Sequence, residues 1–275
     1  MASGVAYRPT VRPRKSLGQH FLRDGNVARK IVSALDARPG QLLLEIGPGT
    51  GALTAHLVET GAELVLVELD SRAVEVLRSV VGGSVGTVIE GDILATDLGA
   101  IARRSPDGTM RVVGNIPYNI TSPILFHILD SRRVITDATL MMQREVARRL
   151  VAGPGTKEYG ILSVFTQFYA RPRMRFDVRP QSFSPPPAVT SSVVHLEMRT
   201  RPLVEPLDEA GFRRMVRGVF SQRRKTLRNS LRTILGDRVR GLPEELPLAS
   251  RPEQLSVEEL VALSDALVRH EAGRP

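Results

Sequence analysis

The sequence predicts an α/β fold, with a Rossmann-like, mostly parallel sheet followed by a small C-terminal helical domain. From Gln41 to about Arg199, short apolar runs alternate with amphipathic stretches, which is typical of strand–helix–strand units. The proline-containing segment Arg199–Pro206 then precedes a helical pattern that begins near Leu207. We therefore expect a basic arm with a lead-in helix over 1–40, an α/β domain over 41–199 and a helical domain over 207–275.

Each element follows from its local apolar pattern. Strands are predicted at Leu42–Ile46, Leu64–Glu68, Thr87–Glu90, Arg111–Gly114, Thr139–Met142 and Val193–Met198. Helices are predicted at Leu53–Thr60, Ser71–Val81 and Ser122–Asp130. In the last domain one apolar helical face is formed by Phe212, Met215, Val216, Val219 and Phe220, and it continues through Leu227, Leu231 and Leu235.

Composition narrows the classes of function. Lys and Arg outnumber Asp and Glu by 38 to 29, which gives a net charge of +9 and favours a polyanionic partner. No apolar run approaches the roughly 18 residues that a membrane span requires, so we expect a cytoplasmic monomer without membrane contact. The chain has no cysteine, which excludes a thiol nucleophile and disulfides. The histidines lack the close spacing of metal ligands, so no metal site is predicted.

A glycine-rich loop follows the first buried strand of the sheet. In the segment Leu42–Ala52, Gly47, Gly49 and Gly51 stand where a strand turns into a helix, so that backbone and ligand can approach closely. Gly47, Gly49 and Ala52 also satisfy the dinucleotide fingerprint, whose third position can be alanine. A plain tight turn is a third interpretation.

Acidic residues close the next two strands. Glu68 lies about 20 residues beyond the glycine loop, where a carboxylate can accept hydrogen bonds from both ribose hydroxyls of an adenosine-containing ligand. A solvated carboxylate at a strand end is the alternative. Asp92 closes the third strand and could accept from an adenine amine. The sequence thus indicates an adenosine-containing cofactor without deciding which one.

The motif Asn115-Ile-Pro117-Tyr118 follows the fourth strand, at the same carboxyl edge of the sheet. An adenine amine is a poor nucleophile because its lone pair is delocalised into the ring. The Asn115 side-chain oxygen and the Ile116 carbonyl could accept from its N–H groups and favour a tetrahedral nitrogen, while Tyr118 stacks on the base. An ordinary turn, with Pro117 fixing φ, is the alternative.

Methylation of an amine needs no strong base. The methyl group comes from a sulfonium cofactor, and the methylated amine can then lose its proton to water. Methylation at cytosine C5 would require a cysteine nucleophile, which the chain lacks. Farther along, Phe183 precedes the stiff segment Ser184–Pro187 and could close over the base opposite Tyr118. A core phenylalanine beneath a proline-rich loop fits the sequence equally well.

Five segments of the sequence, taken as a set, resemble the motifs of a known family. They are Lys15-Ser-Leu-Gly-Gln-His20-Phe-Leu22, Glu45-Ile-Gly-Pro-Gly49, Asn115-Ile-Pro-Tyr118, Phe183-Ser-Pro-Pro-Pro187 and Phe220-Ser-Gln-Arg-Arg-Lys-Thr-Leu-Arg-Asn-Ser-Leu231. In this order and at this spacing, the set resembles the KsgA-type family of small-subunit rRNA adenine dimethyltransferases. The resemblance runs from about residue 8 to the C-terminal helices. It implies a seven-stranded class I methyltransferase sheet, followed by a helical domain.

The resemblance also implies roles for individual residues. S-adenosyl-L-methionine is the implied cofactor, with contacts at His20, Leu22, Gly47, Gly49, Glu68, Asp92 and Asn115. Asn115, Tyr118 and Phe183 are the residues implied around the target base. Some relatives have asparagine where this chain has His20, so its contact is expected through the backbone or a neutral ring. The implied substrate is a pair of adjacent adenines in a loop near the 3′ end of small-subunit rRNA, within an immature small ribosomal subunit.

The segment Arg213–Arg232 carries eight basic and no acidic side chains, interleaved with the apolar face. A face of one sign lacks the acidic partners at i,i+4 that stabilise a solvated helix, which favours an anionic partner. We predict RNA contacts by Arg223, Arg224, Lys225 and Arg228, with a solvated face as the alternative. Basic residues of the arm are expected to add contacts unless the arm is a plain tail; they are Arg8, Arg12, Arg14 and Lys15.

Three other functions remain open on sequence grounds. An Erm-type enzyme shares the Asn-Ile-Pro-Tyr motif but modifies large-subunit rRNA; the segment Gln222–Asn229 favours the KsgA type instead. A non-catalytic nucleic-acid-binding or ribosome-assembly factor would need the basic helices alone. An NAD-dependent oxidoreductase would leave both the basic helices and Asn115–Tyr118 without a role.

Overall fold

The computed structural model describes residues 11–14 and 17–272, with the side chains of 82–85 and 237–238 excepted. Arg8 and Lys15 of the predicted basic arm lie outside the described residues. The chain forms two compact units: the first comprises 1–147 and 173–198, and the second comprises 148–172 and 199–275. No helix within the described ranges is long and apolar enough to cross a membrane.

Strands and helices alternate along most of the first unit, and helices predominate in the second. The strands are β1 (Phe21–Leu22), β2 (Leu42–Ile46), β3 (Glu63–Glu68), β4 (Gly86–Glu90), β5 (Met110–Asn115), β6 (Ile135–Gln143), β7 (Ala170–Val178), β8 (Phe183–Ser184) and β9 (Ser191–Met198). The α-helices are α1 (Gly25–Leu35), α2 (Thr54–Leu57), α3 (Ser71–Val85), α4 (Leu98–Ala102), α5 (Thr121–Asp130), α6 (Arg144–Val151), α7 (Ile161–Tyr169), α8 (Glu209–Ser221), α9 (Leu227–Leu235) and α10 (Val257–Ala272).

The described residues contain a seven-stranded sheet with the order β4-β3-β2-β5-β6-β9-β7. In the sheet, the five strands β4, β3, β2, β5 and β6 run parallel to their neighbours, and β9 is antiparallel to β6. β2 and β3 are apolar and buried almost throughout, as expected of parallel strands covered on both faces. The strand order reverses direction at β2 and β5, and open α/β sheets bind ligands beyond the carboxyl ends of the strands at such a point.

The predicted α/β class and parallel sheet are confirmed, and the six predicted strands are all present. The predicted helix at Leu53–Thr60 is instead a short α-helix, α2, followed by a 3₁₀ turn at Val58–Thr60. The sequence analysis missed β7. Its alternation of Arg or Asp with apolar residues has the period of a half-buried strand, so the signal was present.

The second compact unit includes 148–172, which the sequence analysis had assigned to the α/β domain. Aromatic side chains explain this grouping, because Phe165 and Phe168 of α7 pack on Phe212 of α8 with ring centroids 6.3 and 4.6 Å apart. The Tyr169 hydroxyl also donates to the Glu209 carboxylate at 2.7 Å. Contacts between residues far apart in sequence therefore decide where this unit begins.

Candidate active site

One cavity of the first unit lies beyond the carboxyl ends of β2, β3, β4 and β5. Most of the predicted site residues line it, namely His20, Gly47, Gly49, Glu68, Asp92, Asn115 and Tyr118. These residues come from five separate places in the chain and meet because each follows a strand of the parallel sheet or lies in the segment preceding α1. The convergence at one edge agrees with the predicted geometry of the site.

Two positions of the glycine loop require glycine for different physical reasons. Gly47 has a φ of 60°, a left-handed conformation that side chains with a Cβ rarely adopt. At Gly49, a Cβ would lie 2.8 Å from the Phe21 ring, so this glycine leaves room for an aromatic side chain of β1. The Gly49 N–H donates to Glu68 Oε2 at 2.9 Å. The loop is therefore shaped both for close approach to the cavity and for packing against β1.

Glu68 ends β3 and is held by backbone donors on both of its oxygens. Oε2 accepts from Gly49, and Oε1 accepts from the Asp70 N–H at 2.8 Å. The residue is only 6% exposed, and its burial raises the pKa of its carboxyl although these hydrogen bonds oppose the shift. Each carboxylate oxygen keeps a further lone pair, so Glu68 can still accept from a ligand in the cavity.

Hydrogen bonds of Asp70, close to Glu68, join the segment before α1 to the start of α3. These bonds were not predicted from the sequence. Asp70 caps α3 and accepts from the Arg72 side chain, with one contact at 2.6 Å, and from Gln19 Nε2 at 3.1 Å. The Arg72 guanidinium, first among several donors, lowers the pKa of Asp70 to about 2. Asp70 thereby stays ionised and fixes Gln19, which lines the cavity.

Glu45 lies in the middle of the buried strand β2 and is 1% exposed. Its Oε2 accepts from the Thr54 hydroxyl at 2.7 Å. Burial is the main cause that raises the pKa of Glu45 to about 8, and the nearby Glu68 carboxylate adds to it. At pH 7 the folded chain therefore holds Glu45 mainly in its neutral form, whereas the unfolded chain ionises it.

This difference makes folding stability depend on pH. Between the unfolded pKa of 4.5 and the folded pKa of about 8, the folded state binds more protons, so stability falls as pH rises. We expect Glu45→Gln, which retains an acceptor for Thr54, to gain about 1–3 kcal/mol relative to the wild type on going from pH 5 to pH 8. Urea unfolding of both proteins at the two pH values measures this gain. Parallel pH profiles would contradict it.

Asn115 closes β5 with its amide in a defined orientation. Its Nδ2 donates to the carbonyl oxygen of His20 at 2.9 Å. No donor to Asn115 Oδ1 is found among the described residues, so this oxygen is available to accept from a ligand. The neighbouring Ile116 N–H is already used, since it donates to the Met141 carbonyl at 2.9 Å. These bonds hold the motif at the floor of the cavity.

Tyr118 is fixed at both its ring and its hydroxyl. The ring stacks on the His20 ring, with centroids 5.4 Å apart and planes 29° apart. The hydroxyl bonds to the buried Ser191 side chain, and burial raises the pKa of Tyr118. His20 Nδ1 lies 2.8 Å from the Pro185 carbonyl, which can only accept, so Nδ1 carries a proton. The aromatic pair forms a flat, oriented surface beside Asn115.

Asp92 and two apolar residues also line the cavity. Asp92 caps a short 3₁₀ turn, with its Oδ1 accepting from the Leu94 N–H at 2.9 Å. Leu69 and Leu94 line the cavity and are 52% and 37% exposed. These leucines were not among the site residues predicted from the sequence. Their signal was an apolar residue one or two positions after an acidic residue, in Glu68-Leu69 and Asp92-Ile-Leu94.

Two predicted site residues do not line the cavity. Leu22 and Phe183 pair across the two-stranded β1–β8 ladder, and both belong to the apolar core of the first unit. Phe183 is 3% exposed, which matches the core alternative considered for it. Its place in the ladder fixes the backbone of β1 and thereby the segment that contains His20.

The predicted RNA-binding residues lie in the second unit and differ in their surroundings. Arg223 forms an ion pair with Glu253, and its Nη2 also donates to the Lys157 carbonyl at 2.7 Å. Arg224 and Lys225 are exposed and line an open groove together with Lys157. Arg228 is exposed on α9. Arg223 therefore holds a loop in place, while the other cations face solvent.

Comparisons with known proteins identify the family of the chain. The family model described as "Ribosomal RNA adenine dimethylase" matches residues 11–267. The chain is 43% identical over 265 residues to ribosomal RNA small subunit methyltransferase A of Geobacter sulfurreducens, covering 94% of this chain and 96% of that one. It is 46% identical over 264 residues to the protein of the same name from Salinibacter ruber, covering 94% of this chain and 86% of that one.

Solved structures show the same architecture. A dimethyladenosine transferase from Plasmodium falciparum superposes with a TM-score of 0.76 at 24% identity, over 92% of this chain and 98% of that one. The 23S rRNA methyltransferase ErmE superposes with a TM-score of 0.67 at 27% identity, over 90% and 99% of the two chains. The chain belongs to the ribosomal RNA adenine dimethylase family.

Proposed function

We propose that this enzyme transfers methyl groups from S-adenosyl-L-methionine to the N6 amines of two adjacent adenines in a loop near the 3′ end of small-subunit rRNA. The product is N6,N6-dimethyladenosine. One observation carries the proposal: a single cavity joins the glycine loop and the acidic strand ends to the Asn115–Tyr118 motif. The relatives named ribosomal RNA small subunit methyltransferase A support the choice of RNA.

The cavity residues fit an adenosine-containing cofactor. Glu68 is buried and held by two backbone N–H groups, which leaves lone pairs for the ribose hydroxyls. Asp92 lines the same cavity and is proposed to accept from the adenine amine, and the exposed Leu69 and Leu94 are proposed to contact the purine ring. Gly47 admits the methionine portion close to the backbone. Bound S-adenosyl-L-methionine supplies an electrophilic methyl group on its sulfonium.

Asn115 is the proposed catalytic residue. Because Nδ2 is committed to the His20 carbonyl, Oδ1 is left as the acceptor of the Asn115 side chain. We propose that Oδ1 and the carbonyl of Ile116, which also lines the cavity, accept from the incoming amine. Accepting from the amine N–H groups favours a tetrahedral nitrogen, whose lone pair is then no longer delocalised into the ring. This interaction is stronger in the transition state than in the ground state, as catalysis requires. The proton leaves to water, so no side chain of the cavity must act as a strong base.

Tyr118 is proposed to stack on the extruded adenine. Its hydroxyl bond to Ser191 and its contact with His20 set the plane of its ring before the base arrives. Unpaired or easily extruded loop adenines lower the free energy needed to place a base there. We also propose Phe183 and Leu22 as supports of the site, since both fix β1 from the core.

The 207–275 region is proposed to bind the rRNA backbone. Arg224, Lys225 and Arg228 are the proposed phosphate contacts, because all three are exposed cations. Arg223 contributes by holding the Thr156–Lys157 loop, whose Lys157 lines the same groove. We propose an immature small ribosomal subunit as the physiological substrate and a monomer as the binding form.

Nucleoside analysis tests the proposed reaction. The purified protein is incubated with S-adenosyl-L-methionine and either immature small subunits or large subunits, and the digested rRNA is quantified by mass spectrometry. We expect N6,N6-dimethyladenosine in small-subunit rRNA alone. Dimethyladenosine only in large-subunit rRNA would favour the specificity named for ErmE, and 5-methylcytosine would overturn the chemistry.

Removing the Glu68 carboxylate tests the cofactor assignment. We expect Glu68→Ala to weaken S-adenosyl-L-methionine binding by about 1.5–3 kcal/mol, the range for hydrogen bonds to a charged group, or roughly 10- to 150-fold. Calorimetric titration measures this change. Glu90→Ala, which removes an exposed carboxylate at the end of β4, is the matched control and should bind normally. Wild-type affinity in Glu68→Ala would remove the ribose assignment.

A further inference from the structure

Strand β7 forms an edge of the seven-stranded sheet and carries a row of exposed arginines. Arg173 and Arg175 occupy alternate positions in the strand, about 6.6–6.8 Å apart along its axis, and Arg179 follows its end. All three belong to the first compact unit, which also contains the proposed active site.

The opposite face of β7 packs on the apolar core at its C-terminal end. Val178 is buried in the apolar core of the unit, and Phe176 packs against that core with Lys30 Nζ 4.0 Å from its ring centroid. Because successive side chains of a strand point to opposite faces, the arginines point away from this core. They therefore form a surface that the packing of β7 does not use.

The charge of this surface is positive after its internal pairs are considered. Asp177 lies between the arginines but accepts from Ser192 at 2.6 Å and pairs with Arg144 at 3.5 Å. Arg173 lies 3.9 Å from Glu197, yet its side chain is 63% exposed. Four arginines thus face two carboxylates, and Arg175 and Arg179 are exposed.

We propose that this surface, the β7 arginine row of Arg173, Arg175 and Arg179, is a second contact with the phosphate backbone of the rRNA substrate. The proposal rests on the proposed function, because it takes RNA as the substrate. Guanidinium groups at alternate positions of a strand match a polyanion that presents its charges at intervals, and arginine binds phosphate in a bidentate manner. The row provides an anchor on the same unit as the catalytic cavity, separate from the cations of the 207–275 region.

Charged residues on an edge strand also prevent strands of different molecules from pairing. Charged side chains of either sign would protect the edge strand in this way. Of the four alternate positions from 173 to 179, three are arginine, and the one acidic residue, Asp177, is bonded to Ser192 and Arg144. This bias of sign favours an anionic partner over protection of the edge.

The test removes two positive charges from the row and compares an equal loss elsewhere. Arg173→Gln/Arg175→Gln is the test variant. Arg78→Gln/Arg133→Gln is the control, since both arginines are exposed on the same unit and lie outside β7. Binding of protein-free small-subunit rRNA is measured from 50 to 300 mM salt, with cofactor affinity and nucleoside products measured in parallel.

We expect the test variant to bind RNA about tenfold more weakly at 100 mM salt, with a slope of log K against log salt reduced by about 1.5. The control should lose much less, and both variants should bind S-adenosyl-L-methionine normally and make N6,N6-dimethyladenosine at saturating RNA. These products show that the proposed function stands even if the row proves unimportant.

Three results would overturn the assignment. The test and control variants could have the same affinity and salt slope. The test variant could bind protein-free rRNA normally but lose binding to immature subunits, which would make the partner a protein. It could also self-associate in sedimentation with unchanged RNA binding, which would leave the arginines only a protective role at the edge.

Discussion

Asn115→Ala is expected to reduce the single-turnover rate of methyl transfer by about 10²- to 10³-fold, the range for removing one preorganised group that acts in the transition state. The physical reason lies in the orientation of the amide. Nδ2 is held by the His20 carbonyl, so the substitution removes Oδ1, the atom proposed to accept from the amine. Binding of the cofactor should fall far less than the rate.

The measurement is a rapid-quench time course at saturating cofactor and RNA, which separates chemistry from binding. Asn26→Ala is the control, because it removes an exposed asparagine from α1 of the same unit. It should transfer methyl groups at the wild-type rate. A rate for Asn115→Ala within a few-fold of wild type would exclude Asn115 from catalysis.

Arg111→Ala is expected to lower the free energy of unfolding by about 2–3 kcal/mol, somewhat below the range for a fully buried ion pair, because it removes the cation that pairs with the partly buried Asp137. The Arg111 and Asp137 side chains are 14% and 13% exposed, and they pair at 2.7 Å. Arg111 also donates to the Leu35 carbonyl and, at 3.0 Å, to the Asp36 carbonyl, so it satisfies the end of α1.

Urea unfolding measures the loss, with Arg38→Ala as the control. Arg38 is 73% exposed and pairs with Asp36 at 3.3 Å, and such surface pairs contribute about 0–1 kcal/mol. The double variant Arg111→Met/Asp137→Leu should lose less than Arg111→Ala, since no charge is left buried alone. A loss below about 1 kcal/mol in Arg111→Ala would show that the pair is not needed for stability.

The parallel sheet could be predicted because its buried strands leave continuous apolar runs in the sequence. The extent of the second unit could not, because it depends on α7 packing against α8, and Phe165 and Phe212 are 47 residues apart in the numbering. No local pattern records such a pair. β7 was predictable from its alternation, although its exposed arginines hide it from a search for apolar runs.

The candidate site residues that lie at the carboxyl end of a strand could be predicted from the sequence. Glu68 and Asn115 follow apolar strands and therefore reach the same edge of the sheet. Phe183 was not decided by the sequence, since a buried ring and a ring beside the cavity leave the same local pattern. Arg223 also depended on a distant partner, because Glu253 converts one cation of a basic segment into an internal ion pair.

The central claim is that one cavity brings a methyl donor to adjacent adenines of small-subunit rRNA. The most direct measurement maps the modified positions, because N6,N6-dimethyladenosine blocks base pairing and stops reverse transcriptase. Immature small subunits are treated with wild-type protein or Asn115→Ala and cofactor, and their rRNA is copied by primer extension. With wild-type protein we expect a strong stop at the 3′ adenine of an adjacent pair in a loop near the 3′ end, and a second stop at its 5′ neighbour in transcripts that pass the first; the variant should give weak or absent stops. Stops at other positions, or equal stops with Asn115→Ala, would contradict the claim.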